Sequence, residues 1–275
     1  MLNVTDLSAY LYCPRQFYLT KIIGLRQPPT QPMTEGLIRH KVREMFAKNE
    51  EKLFENLELI NHDLTKQKII SFYQNFLNSI IKTTFDQNQK LILGFQINPA
   101  ELREKIIKSM ENEISLRAKS VENTIKLGFT GKQLWENLTP KYISELPLIS
   151  ESLGLKGRAD RIMLEKETII PFELKTRTAE KVYPSDEIQL TAYAMLLQEK
   201  YNKPIPIGIL EAGDQIHEIQ ITEESKQKVR DLIIEINNLI TSSKSENKIE
   251  PKFPSSFSKC QKCSWEEQCQ KIAAD

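Results

Sequence analysis

The chain has 275 residues, 40% of them hydrophobic and 27% charged, an ordinary balance for a soluble globular fold with room for one large domain and an insertion. Its 38 Lys and Arg nearly cancel its 37 Asp and Glu, leaving a net charge of +1, so no global basic field marks a nucleic-acid binder and any such surface must be local. No run of 18 apolar residues exists, which excludes a membrane-spanning helix, and the N-terminus carries no secretory signal, so a cytoplasmic location with reduced thiols is expected.

In chain order, Thr5 to Ile23 reads as a helix interrupted at Cys13-Pro14. Proline suits a first helical turn and breaks an interior one, so Cys13 is expected at a bend. Gln27 to Pro32 reads as a linker. Thr34 to Lys48 is an amphipathic helix with Leu37, Ile38, Val42, Met45 and Phe46 on its apolar side, and it carries His40. Helical spacing continues near residues 64–90, 99–119 and 131–139, as in Ile69, Ile70, Phe72, Tyr73, Phe76 and Ile80. From Leu146 the pattern turns to strands: Pro147–Ser152, Leu155–Leu164 and Thr168–Lys175. A helix near Asp186–Tyr201, strands near Pro206–Glu211 and Ile216–Ile221, and an amphipathic helix from Glu223 to Ser242 complete the series. Four segments are therefore expected: N-terminal helices with Cys13 and His40 (1–48), a helical insertion (49–145), an α/β core (146–242) and a cysteine-bearing tail (243–275).

Gly157 to Lys175 is the most informative stretch. A two-residue loop at Lys166-Glu167 would place Asp160 opposite Glu173, although the loop lacks the Asn-Gly or Asp-Gly that would fix this register. Glu173 and Lys175 share one face of their strand, because strand side chains alternate. Two carboxylates beside an ammonium form a hard, oxygen-rich site suited to Mg²⁺ or Mn²⁺, the equipment of metal-assisted phosphodiester hydrolysis. Acidic residues on a hairpin more often form a solvated face. Here, however, the strand is apolar through Ile169, Ile170, Pro171 and Phe172 up to the pair, and charges at the end of a buried strand need a reason. Arg158, Arg161 and Arg177 flank the carboxylates as candidate phosphate contacts.

The four cysteines give separate information. Cys260, Cys263 and Cys269 are spaced C-x2-C-x5-C, and Cys13 stands near the other end. A zinc ribbon would use two C-x2-C pairs, and a disulfide framework does not fit a reducing compartment. Four thiolates suit a 4Fe–4S cluster or a structural zinc. Either would tie the ends of the chain together. His62 and His217 are alternative ligands without ligand-like spacing.

Taken in order, Tyr12-Cys13-Pro14-Arg15-Gln16-Phe17-Tyr18-Leu19, the helical His40, Gly157-x-x-Asp160, Glu173-x-Lys175, Gln189-x-x-x-Tyr193 and the terminal cysteine triplet resemble the iron–sulfur RecB-like nucleases of the PD-(D/E)XK superfamily. Within them the chain most resembles the short CRISPR-associated exonucleases of the fourth Cas family. Dna2-type and AddB-type helicase–nucleases share the arrangement within longer chains. The resemblance covers roughly residues 1–48 and 145–275. It implies an α/β fold with a mixed sheet flanked by helices and an iron–sulfur clasp joining the termini. It implies a divalent metal, Mn²⁺ or Mg²⁺, held by His40, Asp160, Glu173 and the Leu174 carbonyl, with Lys175 as the catalytic lysine. Gln189 and Tyr193 would orient the site and the nucleic acid, and the four cysteines would hold a 4Fe–4S cluster. The implied activity is a metal-dependent exonuclease on single-stranded DNA ends, trimming DNA for spacer acquisition beside an adaptation integrase.

Read without the resemblance, His40 is a packing or surface residue and Tyr193 is core with Leu190, Ala194 and Leu197. The rival readings are a non-catalytic iron–sulfur DNA-binding module that recruits partners and a repair nuclease outside CRISPR. The helical insertion could arch over a site, or offer a surface to a partner or to a second copy of the chain. Lys82, Phe85, Lys90, Arg103, Lys105 and Lys108 are its candidate contacts to phosphates and bases, against a solvated face for most of them.

Overall fold

In a computed structural model the chain forms two compact units. The structure describes residues 1–26, 28–55, 65–175, 180–212, 215–243, 251–254, 257–261 and 263–272. The first unit comprises residues 1–28, 146–161 and 169–275; the second comprises 29–145 and 162–168.

The first unit is built on a mixed sheet. The sheet's strands are β1 (Leu2–Asn3), β2 (Lys141–Ser150), β3 (Leu155–Glu165), β4 (Thr168–Lys175), β5 (Ile207–Ala212) and β6 (Gln215–Gln220), ordered β1-β3-β4-β5-β6 with β2 also pairing with β3; residues 141–145 of β2, 162–165 of β3 and Thr168 of β4 are counted in the second unit. β4 runs parallel to β5, with Glu173 opposite Leu210 and Lys175 opposite Ala212, and β6 returns antiparallel. The turn between β3 and β4 falls at Lys166-Glu167 as expected. Lys166 takes the left-handed conformation there (φ 49°), so the turn closes without a glycine.

Helices cover this sheet. α1 (Val4–Tyr12) starts on a capping box in which the Asp6 carboxylate accepts from the Asn3 backbone N–H at 2.9 Å. α2 (Pro14–Phe17) follows, and Tyr18–Ile22 continues as a π-helical stretch. Cys13 is the extended residue between α1 and α2, with Pro14 at the first helical position, which is the bend the sequence implies. α8 (Pro184–Tyr201) is buried on nearly every side from Ile188 to Leu197 and packs on α1, β5 and α9 (Glu223–Ser242).

The second unit is helical. It holds α3 (Gln31–Glu55), α4 (Lys66–Gln87), α5 (Gln89–Gly94), α6 (Pro99–Lys126) and α7 (Gly131–Asn137). Ile38, Val42 and Phe46 of α3 meet Tyr73 and Leu77 of α4 and Leu102, Ile106 and Met110 of α6 in one apolar core. The expected segment boundary at residue 48 falls inside α3, which continues for a further two turns because Leu53 and Phe54 extend its buried stripe. Of the expected linker, Gln27 lies outside the described residues and Gln31 already begins α3. β2 begins at Lys141, six residues before the expected Pro147, because Tyr142 supplies a buried position that the mixed polar sequence around it disguises.

The insertion's basic and aromatic residues divide. Phe85 packs against the helical core, Lys105 pairs with Glu35 at 3.0 Å, and Arg103 donates to Asn78 at 3.0 Å, so these three are engaged within the unit.

One close approach sets a limit on the sequence. A Cβ at Gly157 would lie 2.8 Å from Tyr193 Cε1 and 2.9 Å from Val4 Cγ2. Both neighbours are buried, so neither can swing aside. Gly157→Ala should therefore destabilise the protein by about 1–3 kcal/mol, read as a lower Tm in a thermal melt; an unchanged Tm would show that β3 and α8 have slack at this point.

Candidate active site

Asp160, Glu173, Lys175 and Gln189 come together at the C-terminal end of β4. Alternation along β4 puts Glu173 and Lys175 on one face, and α8 lays Gln189 across them. Glu173 Oε1 accepts from Lys175 Nζ at 2.7 Å and from Gln189 Nε2 at 2.7 Å, and Lys175 Nζ also donates to Gln189 Oε1 at 3.0 Å. Asp160 Oδ2 accepts from the backbone N–H of Leu174 at 2.8 Å, which ties the β3 carboxylate to the strand carrying the Glu-x-Lys pair.

Glu173 is 3% exposed, and its second carboxylate oxygen, Oε2, is buried with no hydrogen-bond partner. Burial first, then the negative charge of Asp160, pushes the Glu173 carboxyl up to about 8, against the opposing pull of Lys175. An orphaned carboxylate oxygen beside a second carboxylate is electrostatically incomplete. A divalent cation would supply what is missing, so the donor set fits a hard metal.

Tyr193 is buried one helical turn beyond Gln189, with its ring against Gly157. Its hydroxyl meets the Gln189 side chain and the Arg158 backbone. Burial first, then Glu173 and Asp160, hold it protonated well above the ordinary tyrosine range. Tyr193 is thus both a core residue and the floor beneath the carboxylates.

Two residues of this cluster were not singled out from the sequence. Ser8 Oγ on α1 donates to Gln189 Oε1 at 3.3 Å and to the Ser185 carbonyl at 3.1 Å. Asp186 lies 3.9 Å from Lys175 Nζ. Asp186 carries a local signal, being the third helical residue of a capped N-terminus, whereas Ser8 is 181 positions from Gln189 and carries none. Arg161 is a correction. Adjacent to Asp160, it faces the other side of the sheet, where it is buried, pairs with Glu211 and stacks over the Phe172 ring at 4.3 Å. It is structural and does not face phosphate. Arg177 lies outside the described residues.

His40 is built into the helical unit. Its side chain is 57% exposed on α3, and Nδ1 lies 3.0 Å from Glu145 Oε1 of β2.

The cysteines gather elsewhere in the first unit. Cys13, Cys260, Cys263 and Cys269 line one cavity of about 260 Å³ together with Tyr12 and Leu19. Gln16 N–H and Trp265 N–H each point at a thiol sulfur, Cys13 and Cys263, at 3.4 Å. Burial first, then Cys263 and Cys269, raise the Cys13 thiol, against the backbone N–H groups of Gln16 and Arg15. The Cys260 thiol is raised by burial first and then by Cys13, Cys269 and Cys263. Four cysteines lining one cavity, with the Cys13 and Cys260 thiols raised in part by their neighbours, fit a thiolate-held group. The space exceeds that of a lone ion, since a single water needs only about 10–15 Å³. His217 sits on β6 in register with Leu210 and is not among the residues lining this cavity, and His62 lies outside the described residues.

Among curated proteins, 63 residues of the chain are 38% identical to a CRISPR-associated exonuclease Cas4/endonuclease Cas1 fusion of Myxococcus xanthus (strain DK1622), covering 21% of this chain and 11% of that protein. A protein of the same name from Leptospira interrogans serogroup Icterohaemorrhagiae serovar Lai (strain 56601) is 30% identical over 127 residues, 42% of this chain and 24% of the relative. The matched parts span a quarter or less of these relatives. A solved structure from Eubacterium rectale, described as a candidate exonuclease, aligns over 97% of this chain and 86% of its own at 12% identity and a TM-score of 0.49. Residues 1–270 match the model of the PD-(D/E)XK nuclease superfamily. A mixed sheet flanked by helices, with Asp160 and Glu173-x-Lys175 at the end of its central hairpin, is the core of that fold, and the chain belongs to the PD-(D/E)XK nuclease superfamily.

Proposed function

We propose that the chain is a divalent-metal-dependent deoxyribonuclease that degrades single-stranded DNA from its ends and trims DNA for CRISPR spacer acquisition. The observation that carries the chemistry is the buried, unpartnered Glu173 Oε2, beside Asp160 and on a carboxylate whose other oxygen accepts from Lys175 at 2.7 Å. The CRISPR setting rests on the two curated relatives, each of which joins an exonuclease to a Cas1 endonuclease, so a Cas1-type integrase is the proposed partner.

In this reading Asp160, Glu173, the Leu174 carbonyl and His40 hold Mn²⁺ or Mg²⁺. The bound ion would supply an acidified water and a Lewis acid for the scissile phosphate. The chain's own groups set the geometry. Gln189 bridges Glu173 and Lys175, so that Glu173 presents Oε2 and Lys175 is aimed by two acceptors. Lys175 would set its Nζ near the charge that develops on the phosphate and would help position or deprotonate the attacking water. Tyr193 excludes solvent beneath the pair. The four cysteines would hold a 4Fe–4S cluster, clasping the α1–α2 bend at Cys13 to the C-terminal segment. Lys259 already bridges these by donating to the Tyr12 carbonyl at 3.0 Å.

The deciding experiment is digestion of end-labelled single-stranded DNA by anaerobically purified protein with Mn²⁺ or EDTA. Asp160→Ala, Glu173→Ala and Lys175→Ala should each reduce cleavage by about 10²-fold or more while leaving the fold intact by circular dichroism. Wild-type rates from Glu173→Ala would refute the assignment, and no Mn²⁺-dependent cleavage by folded wild type would favour the DNA-binding module.

Metal affinity should depend on pH with a definite sign. The proton on Glu173 competes with the ion below about 8. Calorimetric titration with Mn²⁺ should therefore show affinity rising with pH, by about tenfold per unit for one displaced proton, and levelling once pH passes that value. In Glu173→Gln the slope should flatten; an identical slope in both proteins would assign the proton to another group.

Cys263→Ala should lose iron, sulfide and brown colour together and should lower the Tm, because cluster binding contributes directly to folding. Full colour in this variant would remove Cys263 from the ligand set.

A further inference from the structure

We propose that Glu145 is the positioning residue for His40: its carboxylate fixes the imidazole tautomer so that Nε2 is the nitrogen presented to the metal. This rests on the metal-dependent reading above and names a residue that reading does not contain.

The geometry lies within the helical unit. Glu145 Oε1 is 3.0 Å from His40 Nδ1. A carboxylate can only accept, so a neutral ring held in this way carries its proton on Nδ1 and has its lone pair on Nε2. The two side chains differ in surroundings: that of His40 is 57% exposed, that of Glu145 only 7%. A half-exposed ring without an anchor would sample several rotamers and both tautomers, whereas a buried carboxylate holds one of each. Metal-bound histidines are commonly held in this way through the other ring nitrogen.

Glu145 itself sits in an unusual backbone. It lies in the middle of β2, yet its φ is +56°, a left-handed conformation that non-glycine residues seldom adopt within a strand. Such conformations persist where the surroundings over-determine them, and they concentrate at functional sites. The surroundings here are a buried charge cluster. Arg117 of α6 donates to the Tyr142 carbonyl at 3.2 Å and to Ser144 Oγ at 3.3 Å, so the strand is gripped immediately before Glu145. Ser144 in turn donates to Glu113 at 3.3 Å. Glu145 follows in its left-handed conformation, with its carboxylate on His40.

The test uses the full chain and two readouts that do not need cleavage. Two-dimensional ¹⁵N NMR of the metal-free protein reports the His40 tautomer, and titration with Mn²⁺ alone reports affinity. Glu145→Asn keeps a residue tolerant of left-handed backbone but shortens the reach; Glu145→Gln keeps both the reach and an accepting oxygen. Wild type should show the Nδ1–H form. Glu145→Asn should mix the tautomers and weaken Mn²⁺ binding about 10–100-fold. Glu145→Gln should keep the tautomer and fall between the two in affinity. An unchanged His40 spectrum in Glu145→Asn overturns the proposal, and so does a changed spectrum with unchanged Mn²⁺ affinity. If Glu145→Asn does not fold, Glu145→Gln decides alone: a mixed tautomer there overturns it. Failure of the metal-dependent reading itself looks different, because wild type, His40→Ala and Glu173→Ala would then bind Mn²⁺ alike.

Discussion

Much of the first unit is arranged around one carboxylate oxygen that the protein does not satisfy. Glu173 is buried at the end of β4, where Oε1 has two donors and Oε2 has none. Leaving a buried polar atom unpaired is costly, and placing it beside Asp160 adds like-charge repulsion. A strand that ends this way is stable only because its apolar residues are locked between α8 and the neighbouring strands. Phe172 and Ile169 are buried, and Glu173 is in register with the fully buried Leu210. The rigid sheet tolerates a local electrostatic deficit that a mobile loop would relax away, which is how a scaffold stores affinity for an ion.

Gln189 makes that deficit directional. Its amide donates to Glu173 and its carbonyl accepts from Lys175 and Ser8, so one side chain on α8 joins β4 to α1. The helix is buried nearly all round and cannot rotate to break these bonds without disturbing Leu190, Ala194 and Leu197. Tyr193 extends the same face by one turn and needs Gly157 to have no side chain. The glycine before Asp160 and the tyrosine after Gln189 are thus two halves of one packing contact, and the sequence pattern linking them is a steric one.

Local chemistry made much of this legible in the sequence. β4 was expected at Thr168–Lys175 and α9 at Glu223–Ser242, and both fall there, because an apolar run bounded by a turn and a capped amphipathic repeat are short-range signals. Cys13 at a bend followed from Pro14 alone. The failures share a cause. Arg161 looked like a phosphate contact because one-dimensional proximity to Asp160 hides the alternation of faces. The hydrogen bond of Ser8 to Gln189 and that of Glu145 to His40 join residues 181 and 105 positions apart, and no periodicity records such a meeting. The division into units was also hidden, since α3 runs unbroken across the expected boundary and its apolar stripe looks the same on both sides.

The two units each bury a pair of carboxylates, and the contrast separates structure from function. In the helical unit Glu50 and Glu113 are closed off. Tyr73 donates to Glu50 Oε1 at 2.7 Å and Arg117 pairs with Oε2; Arg117 also holds Glu113 Oε1 at 2.7 Å, and Arg43 reaches Oε2 at 3.3 Å. Every carboxylate oxygen has a donor, and the positive charge is a guanidinium whose planar fork fits two acids at once. Such a cluster has no use for an ion. In the first unit the counter-charge beside Glu173 is Lys175, a quarter exposed, bonded to Glu173 and Gln189 and 3.9 Å from Asp186. A lysine is a compact charge on a flexible stem, able to change partners during a reaction where an arginine fork would be locked. The same problem, two acids in a low-dielectric interior, is solved to completion where the protein needs rigidity. It is left one ligand short where the donor set fits a metal.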